Sequence, residues 1–268
     1  MVNSLADEDR MTRTFAVTAA GAPTNVGLAR LTGAAWEALV PVPAACREEE
    51  TTTCLERVVE AVLSLGVERY LVVAPREVQE RLSHLPVEWV QAGEGGGAEN
   101  FLRGLRLCSE ASRVVCTTCD LPAADGPTLA DFLARCDDSL DVNYSVCTQR
   151  EMESVFPAYP RTYVPLREGR YTGGGVTVVN PFTFLERQEE FHETFATRKN
   201  SYGMALALGW PMLWGRLSGG TRKSAVVEAF CRWSRLRCDA LAIDPRWALD
   251  VDHEDDLHYL RWWVRRAR

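Results

Sequence analysis

Apolar runs and amphipathic stretches take turns along the first half of this chain. Thr14–Ala20 (TFAVTAA), Arg69–Ala74 (RYLVVA) and Arg113–Cys119 (RVVCTTC) are short and apolar with few polar interruptions, the pattern of strands covered on both faces. Pro86–Gln91 (PVEWVQ) is a shorter strand candidate. Between them, Cys54–Leu65 places apolar residues at helical spacing and is ended by Gly66, and Ala98–Cys108 and Pro127–Arg135 read as further helices. This βαβαβ rhythm predicts an α/β protein with a mostly parallel sheet and helices on both faces.

The second half changes character. Val142–Cys147 and Thr162–Leu166 read as strands joined by the Pro-rich FPAYPRTYVP, and a glycine turn at Tyr171–Gly175 leads into a strand at Val176–Val179. Two or three helices are expected between Pro181 and Leu236, then a strand at Ala240–Ile243, the acidic segment DVDHEDDL and a C-terminal helix. No repeat and no Pro/Gly/Ser linker divides the chain. Residues 1–13 therefore read as a flexible leader and 14–268 as a single domain, within the roughly 100–200 residues per domain that make one large or two small domains the options.

Composition narrows the function classes. With 46 % hydrophobic and 25 % charged residues among 268, the chain is close to the globular average and needs no disulfide or metal staple to fold. A net charge of −7 argues against a nucleic-acid partner, which needs a basic footprint, but not against nucleotides, because a divalent ion bridges carboxylates to phosphates. No apolar run reaches the roughly 18 residues of a membrane-spanning helix, so no membrane partner is expected. The polar N-terminus is not a signal peptide. Nine scattered cysteines without a secretion signal fit reduced thiols and a cytoplasmic location. Only two lysines, Lys199 and Lys223, stand among 28 arginines.

Three segments are candidates for chemistry. In open α/β sheets ligands bind outside the carboxyl ends of the strands, and there the first candidate, Ala19–Asn25 (AAGAPTN), offers small residues that let backbone N–H groups approach phosphate, or is an ordinary turn. The second is Asp120, at the end of a hydrophobic strand and before Leu-Pro: a metal-binding carboxylate, or a helix cap, although Asp125 downstream is the better cap. The third is Asp250-Val251-Asp252-His253-Glu254-Asp255-Asp256. If extended, it puts Asp250 and Asp252 on one side, with Glu254 and Asp255 in the first turn of a helix, where the dipole favours anions. Cys116 and Cys119 form a CxxC but lack further zinc ligands at suitable spacing and read as buried thiols. In HYLRWWVRRAR, Tyr259, Leu260, Trp263 and Val264 are expected to pack inward with the arginines solvated. Motifs of α/β-hydrolases, Walker NTPases and dinucleotide-binding dehydrogenases are absent.

Taken together these segments resemble the MobA-like nucleotidyltransferases. FAVTAAGAPTNVGLARLTGAAWEALVPV is similar to the family's opening strand, glycine loop and K-A-L-x-P-V segment; VVCTTCDLP to its metal-aspartate motif; RTYVPLREGRYTGGGVTVVNP and ATRKN to an uncharacterised bacterial branch; and ALDVDHEDDL to its C-terminal D-x-D-x-P-E-D-L motif. The resemblance implies a three-layer α/β/α fold with a mostly parallel mixed sheet, Rossmann-like and of the GT-A-like nucleotidyltransferase type. It implies an Mg²⁺-dependent transfer of a nucleotidyl group from an NTP to a phosphorylated or other small-molecule acceptor, with release of pyrophosphate. By the same resemblance Ala19, Ala20, Gly21 and Ala22 cradle the triphosphate, Asn100 falls near the base-reading segment, and Thr172, Gly173 and Gly174 line the acceptor side. Asp120 and Asp252 hold the metal, and Lys199, with Arg198 beside it, meets phosphate charge.

The chain departs from the family pattern at several points. Ala-Ala-Gly replaces Gly-Gly in the opening loop, Glu37 stands where the family has lysine, and Gly175 where the branch has asparagine. His253 and Asp255 interrupt the C-terminal motif, and PAACREEETTTC is an atypical insert. These departures motivate a second reading, a catalytically degenerate nucleotide-binding or assembly protein on the same fold. A third is a glycosyltransferase using a nucleotide-sugar donor. Base, acceptor and oligomeric state are not legible.

Overall fold

The computed structural model describes residues 13–44, 47–188 and 220–266. The apolar runs form a strand frame. Strands β1 (Thr14–Ala19), β4 (Arg69–Ala74), β5 (Glu88–Gln91) and β6 (Arg113–Thr118) lie parallel in the order β6-β1-β4-β5. The sheet continues beyond β6 through β9 (Gly169–Val179), β7 (Val142–Thr148) and β10 (Cys238–Ala242), with β8 (Val164–Leu166) paired to β9. Strand β9 runs antiparallel to both β6 and β7, whereas β10 and β7 are parallel. The sheet is thus mixed but mostly parallel.

Alternate residues of the central strands feed two cores. Ala16, Tyr70, Val72 and Val115 face a core shared with helices α1 (Val26–Thr32), α2 (Cys54–Leu63), α3 (Arg76–Arg81), α5 (Gly126–Leu133), α6 (Gln149–Val155) and α9 (Glu254–Arg266). Phe15, Val17, Leu71, Val73 and Val114 face the other, shared with α4 (Gly96–Arg106) and α7 (Pro181–Glu186). Helix α8 (Lys223–Ser234) lies beside β10. Burial on both faces is why these strands read as unbroken apolar runs. Helix α2 begins where Thr53 and Glu56 form a reciprocal capping box, and Gly66 follows it with φ of 68°.

The Tyr171–Gly175 segment is not a turn, contrary to the sequence expectation. It is extended and forms part of the eleven-residue β9. Its glycines sit where neighbouring side chains cross the strand: a β-carbon at Gly175 would overlap Leu121, and one at Gly174 would overlap Ser145. Much of the atypical insert forms a two-stranded antiparallel hairpin, β2 (Pro41–Ala44) and β3 (Arg47–Thr53). Helix α9 packs Leu260 into the core with Tyr259, Trp263 and Val264 against it. Among the described residues no helix is long and apolar enough to cross a membrane.

An ion pair between a buried aspartate and a largely exposed arginine ties the far strands together. Asp141, 5 % exposed, accepts from Arg237 N at 2.8 Å, from the Arg237 guanidinium at 2.9 Å and from Thr183 Oγ1 at 3.1 Å. Burial opposes its charge, but the Arg237 and Thr183 hydrogen bonds outweigh that and hold the carboxyl below its ordinary value. Between the lowered native value and the unfolded value near 3.9, the unfolded chain binds the extra proton, so this stabilisation is complete above that window and lost as pH falls through it. Urea midpoints measured from pH 6 down to pH 2 are expected to fall less steeply below pH 4 for Asp141→Asn than for the wild type.

Candidate active site

Chain order reverses at β1. The chain passes from β1 to β4 and β5 on one side, then returns to place β6 on the other. The crevice outside the carboxyl ends of β1 and β6 is therefore the switch point at which open α/β sheets bind ligands. Ala19 and Thr118 are paired across these strands, so the loop after β1 and Asp120 after β6 emerge side by side. Strand β9 enters from the opposite direction, which puts Thr172, Gly173 and Gly174 at the same edge.

Backbone bonds fix this edge. Ala20 N donates to Val73 O at 2.8 Å, and Glu37 N donates to Ala22 O at 3.1 Å, tying the first loop to the 3₁₀ turn Glu37–Leu39. Val251 N donates to Asp120 O at 3.0 Å, seating the acidic C-terminal segment directly on the metal-aspartate candidate. Asp256 Oδ2 accepts from Asp252 N at 3.1 Å and from His253 N at 2.8 Å, and Asn25 Nδ2 donates to Asp252 O. Val251 is buried, whereas the flanking Asp250 is partly buried and Asp252 is exposed.

Three carboxylates converge here. Glu37, Asp120 and Asp252 each bring one oxygen within 4.8 Å of the other two. Asp120 is half-buried as a residue, yet its Oδ1 is fully enclosed and has no hydrogen-bond partner among the described residues. Burial, then the charges of Asp250 and Asp252, push its carboxyl up to about 7 against the opposing Thr118 hydrogen bond. Desolvation and then Asp250 and Asp256 also raise Asp252, although that residue stands exposed at the rim. Asp120 caps no helix: Asp125 takes that role for α5, accepting from Thr128 N at 2.9 Å.

Asp250 has a different partner. Arg161 Nη1 lies 2.7 Å from Asp250 Oδ1, while its Nε donates to Thr172 Oγ1 at 2.9 Å and its Nη2 to Gly173 O at 3.2 Å. Tyr159 Oη donates within the same group, 2.8 Å from Asp250 O and 3.1 Å from Asp256 Oδ1. Arg161 thus laces β9 to the C-terminal acids, and the Thr172 hydroxyl is engaged by it. Sequence reasoning missed Arg161, which lies in an aperiodic Pro-rich stretch. It also missed the position of Glu37 among the carboxylates, although the charge reversal there was visible.

Asn100, buried in α4, accepts from Gly93 N at 2.9 Å through Oδ1, which turns its Nδ2 toward the first loop. A β-carbon at Gly21 would stand 2.8 Å from that nitrogen, so the approach of the two requires glycine. Ala19–Ala22, Asn100, Asp120, Thr172–Gly174 and Asp252 are accordingly gathered along one edge. Arg198 and Lys199 lie outside the described residues. Cys116 and Cys119 are both buried, and burial is the first cause that raises each thiol.

Known structures share this architecture. A hypothetical transferase from Thermus thermophilus is 26 % identical with a TM-score of 0.79, over 92 % of this chain and 100 % of that one. A nucleotidyl transferase from Methanothermobacter thermautotrophicus is 19 % identical with a TM-score of 0.57, over 96 % and 100 % of the two chains. A 4-diphosphocytidyl-2C-methyl-D-erythritol synthase from Anaerococcus prevotii is 10 % identical with a TM-score of 0.59, over 94 % and 96 %. The latter two are likenesses of fold. No curated protein matches the sequence. The model of the MobA-like NTP transferase domain matches residues 30–188, more than half of the chain, spanning Glu37, Asn100, Asp120 and the β9 glycines; the chain belongs to that family.

Proposed function

We propose that this protein transfers a nucleotidyl group from a nucleoside triphosphate to a small phosphorylated or other small-molecule acceptor. An acceptor oxygen attacks the α-phosphorus, the bond from that phosphorus to the α–β bridging oxygen breaks, and the electron pair leaves with pyrophosphate. The observation that carries the reading is the approach of Asp120 and Asp252, remote in sequence, at the switch point of the sheet.

The donor set suits a hard divalent cation such as Mg²⁺: it is all oxygen, and Asp120 Oδ1 is enclosed without a hydrogen-bond partner among the described residues. Asp120 and Asp252 would hold that ion, which when bound neutralises charge on the α-phosphate and the departing pyrophosphate. The remaining work falls to the chain. Ala20 N is committed to Val73, so within the Ala19–Ala22 loop the Gly21 and Ala22 amides are the ones assigned to phosphate. Asn100, with Oδ1 held by Gly93, presents its amide nitrogen to the nucleotide. Thr172, braced by Arg161, is assigned with Gly173 and Gly174 to the acceptor side by the family resemblance. Arg198 and Lys199 are assigned to phosphate charge by the family resemblance alone.

Thermal unfolding with each NTP, with and without Mg²⁺, tests the reading. A ligand at 100 times its Kd adds about 2.7 kcal/mol, and one NTP is expected to do so only with the metal. Pyrophosphate release over a panel of phosphorylated acceptors then separates turnover from binding alone; stabilisation without release would favour the degenerate reading, which Glu37 motivates. No response to any NTP would overturn nucleotide use altogether. Gly21→Val is expected to displace the Asn100 amide, cost about 1–3 kcal/mol by overpacking and abolish the NTP-dependent shift.

A further inference from the structure

We propose that Arg161 is a positioning residue that sets how tightly the chain holds the divalent cation: it takes the Asp250 carboxylate for itself and withholds that charge from the ion. The inference rests on the reading above that Asp120 and Asp252 hold the cation. It adds a residue that acts on the ion only through Asp250. The guanidinium is largely buried, its side chain 15 % exposed against 30 % for Asp250. Its three nitrogens serve three different groups. Nη1 lies 2.7 Å from Asp250 Oδ1, Nε donates to Thr172 Oγ1 at 2.9 Å and Nη2 donates to Gly173 O at 3.2 Å. The two contacts to β9 fix the planar fork, so the sheet sets the direction in which Nη1 is offered. Tyr159 Oη completes the hold, 2.8 Å from Asp250 O and 3.3 Å from Asp250 Oδ1.

Withholding Asp250 matters because of where it stands. Val251 N, in the residue between Asp250 and Asp252, donates to Asp120 O at 3.0 Å. After burial, Asp250 is the neighbouring charge that acts most strongly on both Asp120 and Asp252. Yet it lies outside the set of carboxylates whose oxygens come within 4.8 Å of one another, a set that includes both of those residues. Its pairing with Arg161 accounts for that combination: Asp250 is close enough to be felt and held by another partner. The charge of Arg161 is itself felt at Asp120 and Asp252. Charges a few ångströms apart and partly removed from water interact strongly, so the balance between Asp250 and Arg161 governs the potential that a cation meets. Paired, the two largely cancel. A purely structural brace predicts that loss of Arg161 loosens the site and weakens cation binding. A counter-ion for Asp250 predicts the opposite sign.

The test is Mn²⁺ binding to the full chain without nucleotide at pH 8, read from the loss of the free-ion electron paramagnetic resonance signal, across a double-mutant cycle. Arg161→Met releases Asp250 and removes a cation, and should tighten binding at least about fivefold. Asp250→Asn leaves Arg161 uncompensated and should weaken binding at least about fivefold. The double variant restores the balance and should lie within about twofold of wild type. Far-ultraviolet circular dichroism and urea midpoints establish that each variant is folded in the titration. Removing one member of a partly buried pair destabilises, so the Asp250→Asn and double variants carry the test if Arg161→Met does not fold. Where wild type binds too weakly to detect, Arg161→Met is expected to bring binding into range, and its failure to do so would overturn the proposal. Weaker binding by folded Arg161→Met, or changes below twofold in both single variants, would likewise overturn the role of Arg161 and leave the two-aspartate reading standing. Asp120→Asn in the same titration should abolish binding, and equal binding by wild type and Asp120→Asn would overturn the two-aspartate reading itself.

Discussion

Asp120→Asn is expected to lose divalent-cation binding and at least about a hundredfold in nucleotidyl transfer, while the metal-free protein becomes more stable. The two effects have one cause. Asp120 places a carboxylate oxygen where it is enclosed and, among the described residues, without a hydrogen-bond partner, beside two other carboxylates that approach it within 4.8 Å. In metal-free buffer that charge is desolvated and repelled by Asp250 and Asp252, which the Thr118 hydrogen bond only partly offsets, so the folded state carries a cost. The amide is neutral, nearly isosteric and keeps a carbonyl oxygen for the Thr118 hydrogen bond. Removing a charge of this kind commonly yields about 0.5–2 kcal/mol, the usual trade of stability against function at a site. Urea unfolding in the presence of a chelator should therefore show a higher midpoint for the variant at pH 8. Excess Mg²⁺ should raise the wild-type midpoint and leave the variant unmoved. A variant less stable than wild type in chelator would mean that the carboxylate satisfies its neighbours and not a cation.

Trp247→Ala should be the most destabilising substitution near the site. The indole is fully buried, and its Nε1 donates to Asp125 O and to Thr128 Oγ1, both at 3.1 Å. Those acceptors belong to the capped start of α5, so the ring fastens the segment leading to Asp250 and Asp252 onto that helix. Emptying the position costs about 3–5 kcal/mol, and in a chain this long each kcal/mol moves the Tm by roughly 2–4 °C. Differential scanning calorimetry should show a fall on the order of 10 °C. Trp247→Phe, which keeps most of the packing and loses only the donor, is expected to cost about 1–2 kcal/mol. If the two substitutions cost the same, the hydrogen bonds and not the packing hold this segment. Because Asp252 lies just downstream, Trp247→Ala should weaken Mn²⁺ binding even in the folded fraction.

Much of the frame was legible residue by residue. Arg69–Ala74 is a strand with the bounds its apolar run marks, and Cys54 opens a helix as its periodicity indicates. Asp120 was legible because a carboxylate at the end of a run buried on both faces has few places to go but the carboxyl edge of the sheet. The glycines of β9 misled: Gly-Gly-Gly signals a turn when judged on backbone freedom, but here the backbone is extended and the glycines make room for Leu121, Ser145 and Tyr144. The hairpin of β2 and β3 gave no alternation strong enough to find, since Arg47–Thr53 is polar throughout.

From its sequence alone the chain determined the α/β class, the positions of its central strands and the acids offered to a cation, because burial and charge are properties of each residue and leave a local period. Only the tertiary structure decided which acids meet. Arg161 claims Asp250 and holds Thr172, whereas Glu37 joins Asp120 and Asp252. Those partnerships depend on strand order and on backbone bonds between distant segments, and no local pattern encodes the distance between two carboxylates brought together from opposite ends of the chain.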